Sequence, residues 1–129
     1  MKLNPDCVRD ILLTVEEVCD FNKNWSYDYQ TNDTPRLTKY EHSEIIYHIH
    51  QAELAELLIG VQYYECGRNA RISDLSPDGH EFLANIRNDT FFAKVKDISK
   101  EIGVASLKCL MQIAASSASV LIKSYFSLP

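Results

Sequence analysis

Two short motifs of the same kind fix where two helices of this 129-residue chain begin. The stretch Asn4–Asp6 reads Asn-Pro-Asp and the stretch Ser76–Asp78 reads Ser-Pro-Asp. Each motif supplies a capping side chain, a proline preset for the first helical position and a carboxylate that complements the helix dipole. The sequence therefore predicts one helix from Pro5 to about Cys19 and another from Pro77 to about Asn88. In the first helix the apolar residues recur at helical spacing and predict one buried stripe: Val8, Ile11, Leu12, Val15 and Val18.

The residues between these motifs predict strands and one more helix. Aromatic and polar side chains alternate from Trp25 to Tyr29, which is typical of a short half-buried strand. Ser43 can cap a helix that runs to about Glu56. Two β-rich runs, Leu58–Tyr64 and Ala70–Leu75, flank a turn-forming loop at 65–69 and predict a β-hairpin.

The last third of the chain predicts two further helices. Thr90 or Asp89 can cap one of them. It ends at Gly103, which can adopt the left-handed conformation of a helix terminus. The other is the apolar segment Val104–Phe126. Fourteen uncharged residues separate Lys108 from Lys123, fewer than the roughly 20 that a helix needs to cross a bilayer, so no membrane role is expected. Small residues at its centre allow close helix approach, and we expect it to pack on the body or to form a homo-oligomer.

The order of these elements indicates a fold class. Helix, short strand, helix, hairpin and helix is the order of a winged helix-turn-helix. We therefore expect an α+β, mainly helical chain, with a winged-helix domain at 1–89, a small β-hairpin wing and a C-terminal helical extension at 90–129. The helix at 43–56 takes the recognition-helix position, and the loop at 65–69 is the wing tip.

Two segments carry a family resemblance. Ile46–Leu58 resembles the end of the recognition helix in bacterial winged-helix regulators, and Ser76–Leu83 resembles the segment after their wing. Glu56 stands where those families usually place glycine, so either the helix ends differently or Glu56 is left-handed at a cost of about 1 kcal/mol. Nearly the whole chain resembles an uncharacterised winged-helix family of Gram-positive bacteria and their phages, similar to the YjcQ-like winged-helix proteins. Three segments carry this second resemblance: Met1–Leu13, Ile45–Gln51 and Asp74–Arg87. The resemblance implies the fold, and it assigns no catalytic or binding residues.

Charge is distributed unevenly along the chain, whose formal net charge is -5. Residues 1–58 hold 5 basic and 11 acidic side chains, whereas residues 90–129 hold 5 basic and 2 acidic ones. An acidic protein is poorly suited to binding that relies on phosphate neutralisation. The opposite charges of the two ends favour self-association as a hypothesis.

Two non-enzymatic functions compete. The first is a phage or prophage DNA-binding or regulatory module, with contacts from the predicted recognition helix and wing: Tyr47, His48, His50, Gln51, Arg68 and Arg71. That helix carries Glu44, Glu53 and Glu56 but no Lys or Arg, which disfavours entry into a groove of DNA. The alternative is a protein-interaction module whose acidic helix face binds a partner, for instance a phage-encoded protein that inhibits a host factor.

No catalytic motif is found in the sequence. It lacks a nucleophile elbow, a phosphate-binding glycine loop and a zinc-binding helix motif. The four cysteines form no Cys-x-x-Cys pair and the four histidines form no i,i+4 pair, so we expect no metal site, no cofactor and no enzymatic activity. Cys66, on the wing, is the only thiol that looks exposed. No apolar run of signal-peptide length occupies the first residues, and a cytoplasmic location is expected.

Overall fold

The computed structural model describes residues 1–103 and 106–126, with side chains described for 1–103 and 106–118. Within these residues the fold is α+β and mainly helical, with five helices and a small antiparallel sheet. The helices are α1 (Pro5–Val18), α2 (His42–Leu54), α3 (Pro77–Ile86), α4 (Asp89–Ile102) and α5 (Leu107–Phe126). The strands are β1 (Trp25–Tyr27), β2 (Leu58–Ile59), β3 (Gln62–Tyr64), β4 (Asn69–Ile72) and β5 (Asp74–Leu75).

Three predicted helix ends are confirmed. The Asn4 side chain accepts a hydrogen bond from the Asp6 amide at the start of α1. The Ser76 side chain accepts one from the Gly79 amide at the start of α3. Gly103 ends α4 with a left-handed backbone, at φ 76°. Local side-chain chemistry alone is sufficient to place these three ends.

The predicted start of α2 is wrong. A cap at Ser43 would start the helix at Glu44, but the helix begins two residues earlier, at His42. Its cap residue is Glu41, which makes no side-chain hydrogen bond. The predicted cap of α4 is wrong as well. The helix begins at Asp89, and its cap is Asn88, whose side chain accepts a hydrogen bond from the Phe91 amide, rather than Thr90 or Asp89.

The predicted hairpin is confirmed, and the first strand joins it. β3 and β4 pair antiparallel, with Tyr63 opposite Ala70. β1 pairs with the other edge of β4, with Trp25 opposite Ile72, so the strand order is β1-β4-β3. β2 and β5 form a separate two-stranded ladder at the base of the hairpin.

The tip of this hairpin, residues 65–68, is left-handed over three successive residues. Glu65, Cys66 and Gly67 have φ values of 53°, 56° and 83°. The Tyr64 carbonyl accepts from the Gly67 amide and the Glu65 carbonyl from the Arg68 amide, each at 3.1 Å. Positive φ at both central positions defines the mirror-image turns that suit the twist of a hairpin.

The core lies where α1, α2 and α3 meet the inner face of the sheet. The predicted apolar stripe of α1 faces this core. Val18 is half-buried, and the other four residues have 0 % exposure: Val8, Ile11, Leu12 and Val15. Ile45 and Ile49 of α2 and Phe82, Leu83 and Ile86 of α3 pack into the same cluster. Burial of such side chains is the main term that holds a domain of this size together.

The C-terminal helices share this core. Phe92, Val95, Leu107, Leu110 and Ala114 are buried in it, and α5 contacts both α3 and α4. Part of the predicted Val104–Phe126 segment, residues 104 and 105 and the side chains from 119 onward, lies outside the described residues. Among the described residues, no helix has the length and apolar character to cross a membrane.

The end of α2 decides between the two alternatives for Glu56. Glu56 is left-handed, with φ 63°. Its amide donates to the Glu53 carbonyl, and the Leu57 amide donates to the Ala52 carbonyl, both at 2.9 Å. This pair of hydrogen bonds is the Schellman motif, in which glycine is the usual left-handed residue.

The same turn is bonded to the start of α3. The Ser76 amide donates to the Leu57 carbonyl at 2.9 Å, and the Ser76 hydroxyl donates to the Glu56 carbonyl at 2.5 Å. Gly79 packs so closely that an added Cβ would lie 2.2 Å from the Leu57 carbonyl oxygen. Only glycine fits there, which explains why position 79, within the segment Ser76–Leu83, is a glycine.

Glu56→Gly tests this geometry. We expect the free energy of unfolding to stay unchanged or to rise by up to about 1 kcal/mol, because glycine relieves the strain of a left-handed side-chain residue. Urea denaturation measures it. Lys94→Gly, at an exposed position inside α4, is the control and should lose about 1 kcal/mol. A loss above about 1 kcal/mol for Glu56→Gly would contradict the left-handed assignment.

Candidate functional site

The predicted contact residues of α2 lie on two different sides of the helix. His50 is exposed, and Tyr47 and Gln51 are half-buried at the surface. His48 is fully buried. The prediction that His48 contacts a partner is therefore wrong, because its ring cannot reach the surface.

His48 instead connects the start of α1 to α2. Its Nε2 accepts a hydrogen bond from the Asn4 amide at 2.8 Å, and its Nδ1 lies 2.7 Å from the Glu44 carbonyl oxygen. A backbone amide can only donate and a carbonyl can only accept, so the ring is neutral with its proton on Nδ1. Both ring nitrogens are satisfied, as a buried imidazole requires.

A cluster of three polar side chains holds α2 against β3. The Tyr63 hydroxyl donates to Glu53 Oε1 at 2.8 Å, and His50 Nδ1 lies 3.2 Å from the same hydroxyl oxygen. Burial, and then the hydrogen bond to Glu53, raises the pKa of Tyr63 above its usual range. Tyr63 therefore remains a hydrogen-bond donor and fixes both partners at the edge of the exposed surface of α2.

The exposed surface of α2, which we name the α2 face, is a single helical stripe. It consists of Ser43, Tyr47, His50, Gln51 and Leu54. Leu54 keeps 59 % of its surface exposed, which is unusual for a leucine that lies next to the buried apolar cluster. The α2 face has carboxylates at its margins, Glu44 and Glu53, and α2 contains no Lys or Arg. Sequence reasoning missed Leu54, although it lies four residues after His50 on the same stripe.

The two predicted wing arginines are held by neutral groups. The Arg68 guanidinium lies over the Tyr29 ring, 5.4 Å from its centroid, and the Tyr29 ring lies 5.3 Å from the His42 ring. Arg71 lies beside Asn24, whose side-chain oxygen, turned toward the guanidinium, is 2.9 Å from Nε and 3.0 Å from Nη2. Neither contact neutralises the arginine charge.

Other cations pair with carboxylates of the same chain. The pairs are Arg9 with Asp89, Arg36 with Glu17, Lys39 with Asp10, Arg87 with Glu16, and Lys96 with Asp6. The Lys96–Asp6 pair, at 2.9 Å, joins the basic C-terminal part to the acidic first helix. The opposite charges of the two ends thus meet within one chain.

The cysteines differ strongly in accessibility. Cys7 is buried, and burial, with the nearby Glu44 carboxylate, raises the pKa of its thiol to about 12. Cys66 is exposed as expected, but Cys109 is exposed as well, so Cys66 is not the only accessible thiol. Within the described part of the chain, no group of three His, Cys, Asp or Glu side chains is placed to hold a metal ion.

The family of the chain is shown by comparison with protein-family models. The family model described as Hypothetical protein (DUF2513) matches residues 2–105. The chain belongs to the DUF2513 family. That family is a domain of unknown function, and its match covers α1 to α4 and ends before α5. No curated protein and no solved structure matches the chain.

Thiol labelling tests the burial of these side chains. In the native protein at pH 8 we expect Cys66 and Cys109 to react rapidly with Ellman's reagent. Cys7 should react only on unfolding, because it is buried and its thiolate is disfavoured. Mass spectrometry of the labelled peptides identifies the sites. Labelling of Cys7 as fast as that of Cys66 would show that α1 does not pack as described.

Proposed function

We propose that this DUF2513 protein is a non-enzymatic interaction module of winged-helix architecture whose α2 face binds a protein partner. The architecture is supported by the order α1, β1, α2, hairpin, α3, with β1 added to the hairpin at β4. Two successive turns between β1 and α2 occupy the place of a short second helix, with Leu37 bonded to Thr34 and Tyr40 to Leu37.

The composition of the α2 face carries the proposal. In a winged-helix protein that binds DNA, this helix enters the major groove, where cationic side chains hold the phosphates. Here Tyr47, Gln51 and the exposed Leu54 stand between carboxylates, and α2 supplies no Lys or Arg. Aromatic and apolar side chains at the centre of a surface are typical of protein interfaces. A polyanion would be repelled by Glu44 and Glu53.

Site-specific cross-linking tests the proposal. Tyr47 is replaced by the photoreactive benzoylphenylalanine in cells that make the protein, with Phe21, a 99 % exposed aromatic in the loop after α1, as the matched control. We expect a discrete protein adduct from position 47 that is at least about tenfold weaker from position 21 and is reduced by Leu54→Asp. Equal adducts from both positions, or a nucleic-acid adduct from position 47, would contradict the proposal.

DNA binding is the second candidate, and the wing arginines favour it. Arg68 and Arg71 are held by neutral partners, so each keeps a full charge that can reach a phosphate or the minor groove. In this alternative, Tyr47, His50 and Gln51 contact base edges.

A titration against random duplex DNA at low and physiological salt tests DNA binding. DNA binding predicts that Arg68→Ala with Arg71→Ala weakens affinity and lowers the salt slope by up to about 2. Absence of binding at low salt removes this candidate.

Three predictions from the sequence extend the proposal. They are a phage or prophage setting, a cytoplasmic location and homo-oligomerisation through Val104–Phe126. The buried side chains of Leu107, Leu110 and Ala114 show that the first half of α5 already packs within its own chain. Any contact with a second copy therefore needs the remaining surface of α5.

A further inference from the structure

A groove of about 330 Å³ lies between α3 and α5, next to the residue at which α2 ends. Each helix contributes a wall with the spacing i, i+3, i+7: Asp78, Glu81 and Asn85 from α3, and Lys108, Met111 and Ala115 from α5. We name this feature the α3/α5 groove. Residues with this spacing form one face of a helix over about 10 Å, so the two walls present facing ridges with a channel between them.

The rim of the groove is strongly acidic. Glu56, Asp78 and Glu81 are exposed along it, and Glu53 lies in the adjoining depression beside Ile59. Within the described residues, Glu56, Asp78 and Glu81 take part in no ion pair. Lys108 is the one cation among the residues that line the groove. Like charges held close together without partners are unfavourable, and a cationic ligand relieves their repulsion.

The floor of the groove is mainly apolar. Phe82 is almost completely buried beneath it, Met111 is half-buried, and Ala55 and Ala115 leave room for close approach. Ile59, in the adjoining depression, keeps 47 % of its surface exposed. An apolar floor with a charged rim matches an occupant that has one apolar stripe and charged flanks.

We infer that the α3/α5 groove binds a short cationic amphipathic helix of a protein partner. An apolar stripe on that helix lies over Met111 and Ala115, and its flanking Lys or Arg side chains reach Glu56 and Glu81. Two helices that present facing ridges accept a third helix between them, which is the helix-in-groove mode of peptide recognition. The inference shares with the proposed function only the class of partner, a protein, because the groove and the α2 face are composed of different residues.

A designed peptide tests the inference without knowledge of the natural partner. The probe is a fluorescent helical Leu/Lys peptide of about 14 residues, or four turns, and fluorescence anisotropy measures its affinity for the full chain. We expect saturable binding that Glu56→Lys with Glu81→Lys weakens at least tenfold. Asp97→Lys with Glu101→Lys, which makes the same charge change on exposed positions of α4, should weaken it less than threefold.

A second variant separates groove binding from general attraction of charge. Ala115→Trp fills the groove from an exposed position of α5 and leaves every charge in place, so it should also weaken binding at least tenfold. Thermal melting confirms that each variant is folded. Equal weakening by the two charge-reversal pairs, or unchanged affinity in Ala115→Trp, would overturn the inference.

Two further outcomes overturn the inference and leave the proposed function intact. One is a lack of peptide binding while cross-linking at Tyr47 still yields a protein adduct. The other is a dimer of the free protein, seen by sedimentation, that Ala115→Trp dissociates, because the groove would then hold a second copy of the chain. Conversely, groove binding with no adduct at Tyr47 supports the inference and contradicts the α2 face as the partner site.

Discussion

The junction between the end of α2 and the start of α3 is the constraint on which the rest of the structure depends. The left-handed turn at Glu56 reverses the chain, and Ser76 bonds to the carbonyls of both Glu56 and Leu57. Gly79 lets α3 approach the Leu57 carbonyl more closely than any side chain would permit. The chain enters the hairpin segment after Leu57 and returns from it at Ser76, and these two residues are hydrogen-bonded to each other. The position of the hairpin relative to α2 is therefore fixed there. A change at Gly79 would therefore move α3, the hairpin and the groove together.

This junction also places the acidic surface of the molecule. Glu53 is the last carboxylate of α2, Glu56 lies in the turn, and Asp78 and Glu81 lie on the first turns of α3. Elsewhere carboxylates near the start of the chain have partners, such as Asp6 with Lys96 and Asp10 with Lys39. Glu56, Asp78 and Glu81, which form no ion pair among the described residues, thus lie together around the end of α2. A surface of this kind favours cationic protein segments over a phosphate backbone.

Sequence reasoning predicted the features that depend on neighbouring residues. The caps at Asn4 and Ser76, the left-handed Gly103 and the buried stripe of α1 are all local patterns. At Glu56 it left two alternatives, a left-handed backbone at the end of α2 or a different helix end. The structure shows the left-handed backbone. Helix periodicity indicates that His48 and His50 lie on different sides of α2.

Features that depend on tertiary contacts could not be predicted. The buried His48 ring accepts a hydrogen bond from the Asn4 amide, which lies 44 residues away along the chain. The start of α2 was misplaced because Ser43 is a good cap by type, whereas the helix begins at His42, whose ring stacks on Tyr27 of β1 with 5.6 Å between the centroids. The groove depends on how α5 packs on α3, for which no local pattern exists. The central claim is that α2 presents a protein-binding face and does not enter a DNA groove. The most direct test is to record the amide chemical shifts of the ¹⁵N-labelled protein while duplex DNA is added at low salt. We expect the amide shifts of Tyr47, His50 and Gln51 to stay unchanged. Saturable changes in these three shifts would contradict the protein-binding assignment of α2.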